Sequence, residues 1–112
     1  MEKFAIFAFR GDPVCFTHVM LNALDLNAKG HDVKVILEGE AVELVRAMRE
    51  SEIRLFADME SKGLIDAICR ACSASYGVLD YNEKSGLRIV GDMGGHVAIS
   101  TYTDQGYKII TM

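Results

Sequence analysis

GLIDAICRACSASYG, residues 63–77, can be read in two ways. Leu64, Ile65, Ile68 and Cys72 share one face if the segment is a single helix. Alternatively, Leu64 to Ile68 is a buried strand ending at Cys69, followed by a short helix to Tyr76. Gly63 punctuates immediately before the run, and Ile, Leu and Ala fill a buried strand well, which favours the strand. Asp66 is the residue that fits it least.

The flanking sequence takes its order from that choice. Phe4 to Phe9 is a continuous apolar run, as expected of a strand covered on both faces. Asp12 followed by Pro13 starts a helix, since Asp accepts from free N–H groups and Pro is at home in the first turn. That helix is predicted to run from Pro13 to about Lys29, with Gly30 as its left-handed stop. Val33–Leu37 is the next strand. Ala41, Val42, Leu44, Val45 and Met48, then Ile53, Phe56 and Ala57, repeat at helical spacing. Beyond the quoted segment, residues 80–86 read as a polar turn or loop. Leu87–Val90 reads as a strand, Gly91–Gly95 as a glycine-rich turn, His96–Thr103 as a helix and Tyr107–Thr111 as a last strand. Alternation of this kind predicts an α/β fold, a five-stranded parallel sheet between helical layers, in a single domain over residues 1–112.

With 12 basic and 16 acidic residues the net charge is -4, and no basic stretch is present to neutralise phosphates, so nucleic acid is not an expected partner. No apolar run approaches the roughly 20 residues that span a bilayer. Three cysteines without a secretory signal point to a reducing, cytoplasmic setting. Phe16, Val19, Met20, Leu21, Ala23, Leu24 and Leu26 surround most of the first helix. A small sheet covers only one side of it, so the remainder is expected to meet another subunit.

Parallel sheets place their sites at the carboxyl ends of the strands. Those ends are Arg10–Asp12, Glu38–Glu40, Cys69–Cys72 and Gly91–His96. A thioredoxin-like couple needs a cis-proline opposite its cysteines, and Pro13, the chain's one proline, lies elsewhere. A metal reading takes Cys15 and His18 together with Cys69 and Cys72 as a zinc set. A nucleophile reading places Cys69 at a helix start, where free N–H groups, Arg70 and Arg10 would favour the thiolate, with Cys72 one turn on as an accessory thiol. Both sulfurs are also small enough to be buried packing atoms. His96, after Gly94-Gly95, is a candidate base or ligand near Cys69. Gly91–Gly95 could cradle an anion, whereas Glu38, Glu40 and His31 read as solvated.

Gly63 to Cys69, with Gly77-Val78 eight and nine residues beyond the cysteine, resembles the signature segment of the DsrE/DsrF-like family. Phe4–Phe9, Asp32–Leu37 and Gly91–Gly95 fit the rest of its pattern. The resemblance implies a three-layer α/β/α domain, a homo-oligomer (trimer or hexamer), and persulfide sulfur carried on Cys69 between donor and acceptor proteins. Cys72 is not part of that pattern. The alternative is a non-catalytic oligomeric module holding zinc or a small anion at the same sheet edge.

Overall fold

A computed structural model describes all of residues 1–112. Its sheet has five strands: β1 (Lys3–Ala8), β2 (Asp32–Leu37), β3 (Ile65–Cys69), β4 (Ile89–Val90) and β5 (Lys108–Thr111). They lie in the order β4-β3-β2-β1-β5, and every pairing is parallel. β1 is an interior strand paired on both sides, which explains why its last four residues are all buried. The α/β expectation holds.

Between β1 and β2 runs α1 (Pro13–Ala28), started as the sequence suggests: the Asp12 carboxylate accepts from the Val14 N–H at 2.8 Å. A tight turn at Gly39–Glu43 leads to α2 (Leu44–Glu50) and α3 (Arg54–Ser61). After β3 come α4 (Arg70–Ser75) and α5 (Leu79–Glu83), and α6 (Ser100–Thr103) precedes β5. The chain steps outward from β1 to β4 and then returns across β1 to β5. With right-handed crossovers, that places α1 to α5 on one face and α6 on the other. The second helical layer is thin: one turn of helix and the loop before it.

Asp66 shows how β3 tolerates a carboxylate. It accepts from the Tyr102 hydroxyl at 2.6 Å and from Arg88 at 3.0 Å, with Lys34 at 3.8 Å. Its partners come from β2, the residue just before β4 and α6, so the strand was uncertain only when read locally. Tyr102 also meets Phe7 edge-on at 5.5 Å and Tyr107 at 5.9 Å, which fixes α6 over the sheet.

Two expectations are corrected here. Residues 79–83 form α5 rather than part of a loop, because buried Asn82 ties the segment to the core through its amide. The last helix begins at Ser100, not His96, because residues 91–97 are bound into the site described below. On α1, Phe16, Val19, Met20 and Ala23 are buried, with Phe16 against Phe56 of α3. Val14 and Leu21 remain 72% and 50% exposed.

The Tyr107 hydroxyl donates to Asp32 at 2.7 Å, and Lys3 sits over its ring. Burial, and then Asp32, push its pKa up to about 12 from an ordinary 10.0. A folded-state pKa above the unfolded one adds stability that is whole below about pH 10 and is lost as pH rises through about 12. Stability is therefore expected to fall over that window, less steeply in Tyr107→Phe. Denaturant titrations at pH 9 to 12 check this; equal slopes for the two proteins would contradict it.

Candidate functional site

Cys69 is the last residue of β3 and the cap of α4. Its extended backbone turns the chain into the helix, and its sulfur accepts from the Cys72 N–H at 3.4 Å. That turn is anchored from below. Ser73 donates to the Cys69 carbonyl at 2.7 Å, and Asn82 donates to Ser73 Oγ and to the Val42 carbonyl, both at 3.0 Å. All three side chains, Cys69, Ser73 and Asn82, are fully buried.

The loop after β4 closes the site from above. His96 Nδ1 lies 3.2 Å from Cys69 Sγ and 3.6 Å from Cys72 Sγ. The three donor atoms are within 4.8 Å of one another. Burial falls off outward: Cys69 is buried, Cys72 half-buried and His96 exposed.

The histidine is held on both sides along the chain. The Gly95 carbonyl accepts from the Ala71 N–H at 2.8 Å, and the Val97 N–H donates to Glu38 Oε1 at 3.1 Å. His96 and Met93 also exchange backbone hydrogen bonds, at 2.9 and 3.0 Å. Gly95 has φ +93°, and a Cβ there would meet the Ala71 Cβ at 3.1 Å, so glycine lets the loop lie against α4. Glycine-rich spacing therefore serves close approach of backbone to helix.

Glu38 was expected in solvent but is buried. Sequence gives little sign of this, since its partner Val97 lies 59 residues away. Removing the carboxylate strands a buried N–H, so Glu38→Ala is expected to cost about 1–3 kcal/mol, whereas Glu38→Gln keeps an acceptor and most of the stability. Urea denaturation of both variants measures the difference, and equal losses would contradict this role.

The expected low-pKa thiolate at Cys69 is also corrected. Burial pushes the thiol up to about 12, with Cys72 and Glu38 adding to the rise; the Cys72 N–H opposes it. Arg10 does not assist. It is exposed at the end of β1, and β2 lies between β1 and β3. At about 4.8 Å per strand, the two ends are roughly 10 Å apart. Cys15 and His18, on α1, lie outside the cluster: Cys15 points its sulfur to Asp12, at 3.7 Å, and His18 is exposed. The four-ligand set of Cys15, His18, Cys69 and Cys72 is therefore not assembled, and the soft donors brought together are Cys69, Cys72 and His96.

No helix is long and apolar enough to cross a membrane. No protein-family profile matches the chain. It is 35% identical over 95 residues to the uncharacterized protein MJ0733 of Methanocaldococcus jannaschii, spanning 85% of this chain and 78% of that protein. An uncharacterized protein of Archaeoglobus fulgidus is 36% identical over 52 residues, 46% of this chain and 85% of its own length. Among solved structures, the conserved protein of unknown function BT1422 from Bacteroides thetaiotaomicron superposes with a TM-score of 0.70 over 98% of this chain and 95% of that one, at 19% identity. That likeness is one of fold. Sequence identity over most of both lengths goes further, and the chain belongs to the family of the uncharacterized archaeal protein MJ0733.

Proposed function

We propose that the protein is a cytoplasmic sulfur carrier that accepts sulfane sulfur at Cys72 and stores it at Cys69. The observation that carries the reading is the graded pair of thiols: one half-exposed and one buried, both beside a single imidazole nitrogen. The resemblance of residues 63–78 to the DsrE/DsrF-like family supports the sulfur chemistry but places the cargo on Cys69 directly. Complete burial of Cys69 makes Cys72 the sulfur a donor meets first.

The chemistry closes with these groups. His96 Nδ1 takes the Cys72 proton, and the thiolate attacks the outer sulfur of a donor persulfide, R–S–SH. The donor S–S bond breaks, Cys72–S–SH forms, and the leaving thiolate recovers the proton as R–SH. His96 Nδ1, 3.2 Å from Cys69 Sγ, then takes the Cys69 proton, and that thiolate attacks the outer sulfur of Cys72–S–SH. The Cys72 S–S bond breaks and Cys72 leaves as the thiolate that recovers the proton, giving Cys69–S–SH and Cys72–SH with no net oxidation. The buried position shields the stored sulfur from solvent thiols, and an acceptor thiol draws it out by the reverse route.

A homo-oligomer, a trimer or hexamer as the family resemblance implies, belongs to the same proposal. Val14 and Leu21 are seven residues apart, on one exposed face of α1, and give it an apolar contact. Incubation of the reduced protein with glutathione persulfide is expected to add one sulfur per chain to the intact mass, removed again by dithiothreitol. A chain that gains no sulfur under those conditions would overturn the reading.

A further inference from the structure

We propose that Cys69, Cys72 and His96 also form a binding site for one thiophilic divalent ion, Zn2+ foremost, with a fourth coordination position facing solvent. With Zn–S near 2.3 Å and Zn–N near 2.0–2.1 Å, a tetrahedral ion separates a sulfur from a nitrogen ligand by about 3.5 Å. The two separations here, 3.2 and 3.6 Å, bracket that value. The two sulfurs also lie within the same 4.8 Å limit, so all three donors can face one ion without rebuilding the backbone.

The surroundings hold those donors as a metal site requires. The Cys72 N–H is aimed at Cys69 Sγ, at 3.4 Å, and supports negative charge on that sulfur. His96 is fixed through both its neighbours, Gly95 to Ala71 and Val97 to buried Glu38. Outer contacts of this kind orient the inner ligands and hold them in place before the ion arrives. Two thiolates and an imidazole select a soft ion over Mg2+ or Ca2+. The ligands come from three sides only: β3, α4 and the loop after β4. Cys72 and His96 open outward, leaving room for water or an incoming thiol as fourth ligand.

The ion and the stored sulfur need the same two cysteines, so zinc and persulfide exclude one another. The metal site does not depend on the sulfur reading. Its test is titration of the reduced full chain with Co2+, followed by Zn2+. One Co2+ per chain is expected, with thiolate-to-cobalt charge-transfer absorption in the near ultraviolet that Zn2+ abolishes. His96→Ala should weaken Zn2+ at least about tenfold. Cys72→Ser should lose most of the charge-transfer intensity, while Cys15→Ser and His18→Ala should match the parent. Cys72 and His96 are not part of the buried core, so both variants are expected to keep the parent's far-ultraviolet circular dichroism. Absence of the charge-transfer band, or full affinity in His96→Ala, would overturn the site. Zinc binding by a protein that takes up no sulfur when metal-free would remove the sulfur reading and leave the metal site standing.

Discussion

Cys72→Ser is expected to slow sulfur loading from glutathione persulfide by about 100-fold or more, although the stored sulfur ends on another residue. Cys69 has no exposed surface, and burial pushes its thiol pKa up. A donor must therefore react first with the half-exposed Cys72. Cys69→Ser should behave differently. It keeps the entry thiol and the imidazole, so it loads at close to the parent rate, but the sulfur stays at the surface and external thiols strip it faster. The two single variants thus separate entry from storage. Cys72→Ser loading at the parent rate would make Cys69 the entry point and require the turn at Cys69–Cys72 to open.

The second large effect concerns the sheet beneath the site. Phe7→Ala is expected to cost about 3–5 kcal/mol, the range for deleting a fully buried aromatic ring. Phe7 lies in an interior strand with no exposed surface, and its ring carries the edge contact to Tyr102 that holds α6. For a domain of this size, a loss near 3 kcal/mol lowers the melting temperature by about 12 °C or more, and it consumes much of a total stability of about 5–15 kcal/mol. A fall below about 4 °C in differential scanning calorimetry would show that α6 and the sheet repack around the cavity.

What sequence could and could not reveal divides along the range of the interactions. β1, β2 and α1 were legible because their signals are local: an apolar run, Asp12-Pro13 at the helix start and Gly30 at its end. β3 needed a choice, because Asp66 is satisfied by Lys34, Arg88 and Tyr102 from separate parts of the chain. α5 was hidden in a polar stretch, because the residue that anchors it, Asn82, bonds to Val42 forty positions earlier.

The site divides the same way. Spacing placed Cys69 and Cys72 at a strand end, and Gly94-Gly95 marked His96 as a neighbour. The strand order decided the rest. Because β2 separates β1 from β3, Arg10 belongs to a different part of the edge, and Cys15 and His18, on α1, lie outside the Cys69, Cys72 and His96 cluster. Glu38 was missed because nothing near it in sequence reveals that Val97 covers it.

The central claim is the route from Cys72 to Cys69, and the sequence supplies a means of following it. Trypsin cuts after Arg70, so the two cysteines fall on separate peptides. The protein would be mixed with glutathione persulfide, alkylated at successive times, digested and examined by mass spectrometry. The account predicts that the extra sulfur appears first on the peptide beginning at Ala71, which holds Cys72, and then moves to the peptide ending at Arg70, which holds Cys69. Extra sulfur arriving first on the Cys69 peptide, or never leaving the Cys72 peptide, would contradict it.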